Sequence, residues 1–202
     1  MTKKRIAHRI LLATLALSFY SADTVAIQRS RQDGDRCQRK IDAIAKNAAA
    51  IPVAAKKTPL SENEVNSYLV YNATDKIPRG LTDPEILIVG NGGLSGRLLL
   101  DIDEFKRQRT SPGPLDPFAY ISGKVPVTAR GVLRTRAGRA QFYLESAEIL
   151  GLPLPKPFIQ ELVTFFSRTR ENPNGFDIDQ PFNLPAKIQE VVINRAEAII
   201  VQ

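Results

Sequence analysis

The chain has 202 residues, enough for one sizeable domain and too few for two full ones at about 100–200 residues per domain. Hydrophobic residues make up 43%, which permits a real core and argues against wholesale disorder. The formal charge is +7, and the single histidine, His8, falls in a segment expected to be removed, so the remaining chain has no imidazole for a triad, a general base or a metal site.

Met1 to Arg9 carries four basic residues, Ile10 to Tyr20 is an uncharged apolar run, and Thr24-Val25-Ala26 follows. This three-part order is that of a secretory signal peptide over residues 1–26, cleaved after Ala26. The apolar run is shorter than the roughly 20 residues a membrane-spanning helix needs. An uncleaved N-terminal anchor is the alternative. The remainder carries 24 basic and 20 acidic side chains, a charge of +4. That balance suits ordinary solubility, and it also suits a membrane surface with anionic headgroups. Charged residues immediately before Cys37 exclude a lipid-attachment site, which leaves Cys37 as a free thiol on a flexible basic segment.

Residues 27–57 read as a charged, alanine-rich lead-in, flexible or carrying a helix over 39–50, where Ile41, Ile44 and Ala48 share a face. Residues 58–202 form the main domain. Ser61 and Glu64 have the spacing of a reciprocal capping box, with Leu60 placed to staple onto Val65, so a helix is predicted over 62–73. A short strand over 85–89 leads through Asn91-Gly92-Gly93 into a second over 94–102, where apolar and polar residues alternate except at Leu99. Residues 104–117 form a loop around Ser111-Pro112-Gly113-Pro114, with one helical turn at most.

The strand from Ile121 to Leu133 is long, and Pro126 within it points to an edge position or a bulge. Ala137-Gly138 turns the chain into an Ala140–Glu145 strand. A second helix opens at Pro153, Pro155 and Pro157 and carries the apolar stripe Phe158, Ile159, Leu162, Val163, Phe165 and Phe166, with Arg168 and Arg170 in its last turn. After Asn172-Pro173-Asn174-Gly175 comes a strand marked by Phe176, Ile178, Phe182 and Leu184, then an apolar stretch from Ile188 to Val201. The expected fold class is α+β: one strongly curved antiparallel sheet wrapped on one or two helices, in a single domain.

No catalytic set stands out. Asp101, Asp103, Glu104, Asp177 and Asp179 lie where polar strand faces are expected; Asn91 to Gly96 lacks the helix and Lys-Ser/Thr pair of a phosphate loop. Ser61 and Ser95 have no histidine partner, and nothing near Lys187 suggests a catalytic role. Neither cofactor nor metal is expected, and no nucleic-acid partner.

Leu60-Ser61-Glu62-Asn63-Glu64-Val65-Asn66-Ser67-Tyr68-Leu69 resembles the opening helix of small bacterial envelope proteins of the tubular lipid-binding superfamily. The Ile121–Leu133 and Ala140–Leu144 hairpin is similar to that family's curled sheet, and Asn183-Leu184-Pro185 with Ile188–Val201 to its final strand pair. The resemblance implies a non-enzymatic periplasmic or envelope protein with an apolar groove for acyl chains. The groove-lining residues expected here are Leu98, Leu100, Val125, Val127, Phe142, Phe158, Leu162 and Phe165, with Lys156, Arg168 and Arg170 at the mouth for an anionic headgroup. The alternative is a scaffolding envelope protein with a filled core that binds a protein partner.

Overall fold

The structure, a computed structural model, describes residues 28–108, 117–170 and 172–202. The segment expected to be a signal peptide and the Ser111–Pro114 stretch lie outside the described residues. The chain runs α1 (Arg31–Ala49), β1 (Lys57–Ser61), α2 (Glu62–Tyr71), β2 (Leu81–Gly90), β3 (Gly93–Asp101) and α3 (Ile102–Gln108). A 3₁₀ turn (Pro117–Tyr120) precedes β4 (Lys124–Arg136), β5 (Arg139–Ile149), β6 (Leu152–Pro153) and α4 (Lys156–Phe166). The chain closes with β7 (Phe182–Asn183), β8 (Glu190–Asn194) and β9 (Glu197–Val201).

The fold is α+β in one domain. Its strands divide between two antiparallel sheets: a larger one ordered β2-β3-β4-β5-β6, with β7 beside β5, and a smaller one ordered β1-β9-β8. Tight two-residue turns set the larger sheet. Gly90 pairs with Gly93 around Asn91-Gly92, and Arg136 with Arg139 around Ala137-Gly138, with all four turn residues at positive φ. In β2, the register shifts between Thr82 and Glu85, which lets an edge strand accommodate Pro84.

One core lies between the larger sheet and α3 and α4. Leu100, Ile102, Phe105, Phe118, Val125, Ile149, Ile159 and Leu162 are among its buried members. Phe105 makes edge contacts with Phe118 and Phe165 at centroid distances of 5.2 and 5.1 Å, and Phe118 with Phe158 at 6.0 Å. A second core, with Cys37, Ile44, Leu60, Ile188 and Ile200, lies between α1, α2 and the smaller sheet. A bridge of Ile88, Ile193 and Ala198 joins the two sheets.

Several expectations need correction. The lead-in is partly helical, as one of its two readings had it, but the helix is longer, with 19 residues packed against α2; Cys37 is a free thiol, yet it is 2% exposed on that helix and not on a flexible segment. Gly34 makes that approach possible: a Cβ there would lie 2.4 Å from Asn72 Oδ1 and 3.1 Å from the Ser67 carbonyl oxygen. β1 was not legible, because its Lys57–Ser61 run matters only through its pairing with β9. Ile102, taken as strand, starts the two-turn helix α3, which Asp101 caps by accepting from the Glu104 N–H.

Pro126 is neither at an edge nor in a bulge: β4 runs between β3 and β5. A strand residue's N–H and C=O point to the same side, and the Pro126 carbonyl accepts from Leu150, where β5 turns away. The missing N–H therefore faces a place with no ladder to break. The bulge lies four residues on, at Arg130/Gly131. Of the Phe176–Leu184 strand, only Phe182–Asn183 pairs, and α4 ends at Phe166, before Arg168 and Arg170.

Candidate functional site

Across β3, β4 and β5 the register aligns Gly96 with Ala129 and Ala129 with Ala147. These three small residues form one row across the sheet, and Ala129 and Ala147 of it lie under α4. Larger apolar residues flank the row: Leu98 pairs with Val127 and Leu100 with Val125. Helix α4 cannot descend into the gap, because Ile159, Leu162, Val163 and Phe166 already rest on the flanks. The result is a cleft of about 200 Å³ lined by Leu81, Leu98, Leu100, Val127, Ala129 and Ala147 from the sheet side. Leu154 and the four α4 residues complete a wholly apolar lining. Leu98, Val127, Ala129, Val163 and Phe166 are only half-buried, so the cleft opens to solvent.

Of the eight predicted groove residues, the structure brings Leu98, Leu100, Val127 and Leu162 to this cleft. Val125, Phe158 and Phe165 belong to the adjoining packed core. Phe142 is elsewhere: its ring covers Gly131, where a Cβ would lie 2.6 Å from Phe142 Cζ. The sequence reading missed Ala129 and Ala147 because it selected large apolar side chains, whereas a gap is made by small ones. Their signal was present as small residues at apolar positions, and it becomes legible only with the cross-strand register.

The predicted headgroup cations do not gather at the mouth. Lys156 pairs with Asp179 and lines a polar cleft with Gln160 and Thr164, on another face of α4. Arg168 and Arg170 are exposed on the segment after the helix. The candidate carboxylates hold backbone in place: Asp103 accepts from the Gly123 N–H and Asp177 from the Asp179 N–H, each at 2.9 Å. Among the described residues, no three His, Cys, Asp or Glu side chains come together as a metal site.

No family model matches the sequence, and neither a curated protein nor a solved structure matches it.

Proposed function

We propose that this chain is an exported, non-catalytic envelope protein that binds the end of an acyl chain, or an apolar group of similar size, in the cleft between α4 and the larger sheet. The observation that carries the reading is an open cleft of about 200 Å³ with no polar side chain in its lining. An apolar cavity of about 150 Å³ stays dry and takes benzene, so this one suits a few terminal methylenes or a small ring. Each methylene removed from water contributes about 0.8 kcal/mol without a specific hydrogen bond. The remainder of a long chain would lie along the open side. The three-part N-terminal pattern supports export, and the resemblance to the tubular lipid-binding superfamily supports an acyl ligand over other apolar groups.

The test is organic extraction and mass spectrometry of protein isolated from its membrane-containing host, followed by uptake of decanoate by delipidated protein. Decanoate is expected to raise the melting temperature of the parent. Ala147→Leu, which puts a larger side chain where Ala147 lines the cleft, is expected to remove that rise while the variant stays folded. A protein that carries no lipid and is unaffected by decanoate ends the proposal.

A second reading is a scaffold that binds a protein partner. It is favoured by the aromatic cluster that fills the rest of the expected groove, and by Leu87, Val89 and Tyr143, which are 43%, 57% and 44% exposed on the larger sheet. Cys37 is too buried to serve as a cross-linking handle, so an exposed cysteine placed at Val89 is the suitable probe. Recovery of one stoichiometric partner from envelope extracts would favour this reading.

A further inference from the structure

The tip of the β4–β5 hairpin carries three guanidinium groups in the stretch Arg134 to Arg139. The register sets Arg136 directly opposite Arg139, and Arg134 opposite Gln141. Side chains at such positions share one face of a sheet, so all three cations project together. Like charges directly opposite in an antiparallel pair are destabilising. The tight turn at Ala137-Gly138 fixes the register and so holds this pair in place.

None of the three arginines forms an ion pair with a described residue. Arg134 instead lies over the Tyr143 ring, 5.2 Å from its centroid.

Arg134, Arg136 and Arg139 are among the residues that line a wide, shallow depression of about 750 Å³ beside the hairpin tip, the Asn91-Gly92 turn and β8. Its walls are fixed by hydrogen bonds. Thr135 Oγ1 accepts from the Val191 N–H at 2.9 Å and donates to the Val191 carbonyl at 3.1 Å. The Leu133 N–H donates to the Gly92 carbonyl at 2.8 Å. Glu190 also lines the depression but makes no ion pair with the three arginines.

We propose that this depression binds a multiply charged anion of the phosphate type, carried either by a lipid headgroup or by a soluble phosphate ester. Guanidinium groups recognise phosphate by paired, charge-assisted hydrogen bonds. A bound anion would also relieve the repulsion between Arg136 and Arg139. The site shares no lining residue with the α4 cleft, so it stands whether or not that cleft takes a lipid.

The experiment measures binding of inorganic pyrophosphate by calorimetry, and co-sedimentation with phosphatidylcholine vesicles with or without phosphatidic acid, whose phosphomonoester is multiply charged, at low ionic strength. The parent is expected to bind pyrophosphate, the phosphatidic acid vesicles, or both. Vesicle binding without pyrophosphate binding assigns the headgroup, pyrophosphate binding without vesicle binding assigns a soluble ester, and binding of both assigns the phosphomonoester group that the two share. Arg136→Thr and Arg139→Thr should each lower affinity at least about tenfold, the loss expected for one charge-assisted hydrogen bond. Arg79→Thr, on another surface, should leave it unchanged. The melting temperature of both tip variants should hold or rise, because a like-charge pair has been relieved. A parent that binds neither probe, tip variants that bind as the parent does, or a fall in their melting temperatures would overturn the assignment.

Discussion

Glu64 and Cys37 lie close together under α1 and α2, and they show how one residue serves several elements. The Glu64 carboxylate accepts from the Ser61 N–H at 2.9 Å and from Lys40 Nζ at 2.7 Å, while the Glu64 N–H donates to Ser61 Oγ. The capping box is local and follows from the Ser-x-x-Glu spacing. The Lys40 contact comes from a different helix, and with it a helix cap becomes a clamp between α1 and α2. Burial pushes the Cys37 thiol up to about 11, with the Glu64 charge adding to the rise and Lys40 opposing it. The folded state therefore keeps the thiol proton at pH values where an unfolded chain has lost it. Stability should fall as pH rises from about 9 toward about 11, by up to about 1.4 kcal/mol per pH unit from this group. Cys37→Ala should lack that component, so the comparison is the difference between the two alkaline unfolding curves. An equal fall in both chains would show that Cys37 contributes none of it. The same burial predicts that thiol reagents at pH 8 label the folded parent far more slowly than the unfolded chain.

At the scale of elements, the free edge of β2 is closed by a helix. Asn66 is fully buried; its Nδ2 donates to the Ile86 carbonyl at 2.7 Å, and its Oδ1 accepts from the Ile86 N–H at 2.8 Å. Two residues on, Ile88 donates to Glu62 and accepts from the Ala196 N–H. A side-chain amide thus reproduces what a neighbouring strand would offer, and an edge that would otherwise pair with another chain is covered. Asn66→Ala leaves both Ile86 backbone groups without this partner in a part-buried setting. A loss of about 2–4 kcal/mol is expected in chemical denaturation, with a rise in aggregation by light scattering. A change below about 1 kcal/mol would show that water replaces the amide. The cleft under α4 belongs to the same scale. Gly96, Ala129 and Ala147 lie far apart in sequence, and only strand pairing puts them in one row.

At the scale of the molecule, α1 and the C-terminal strand close the smaller half of the fold. Gln202 Nε2 donates to the Ile44 carbonyl at 2.9 Å and the Ala186 carbonyl at 2.7 Å, while Asn47 donates to Gln202 Oε1. Lys56 and Gln202 exchange backbone hydrogen bonds in both directions. A chain beginning at Ile51 would expose Leu60, Ile188 and Ile200, each about 9% exposed in the full fold. It should melt lower than the parent and lose hydrogen-exchange protection in β1, β8 and β9 before the β3–β5 ladder. Uniform loss across both sheets would mean that they unfold as one unit.

Elements whose signals are local can be read directly from the residues. Alternation marked β3, β4 and β5, glycine turns joined β2 to β3 and β4 to β5, the Ser61–Glu64 spacing started α2, and prolines opened α4. The α+β class is legible in the same way, because helical and strand periodicities occupy separate stretches. Tertiary structure alone decided what depends on pairing between distant segments. It made β1 a strand through β9, split the strands between two sheets, buried Cys37, reduced the expected groove to a small cleft and gathered unpaired arginines at the opposite hairpin tip. The physical reason is that periodicity tells which face of an element is apolar, whereas a cavity or a charge cluster depends on which faces meet and how well their side chains fill the space between them.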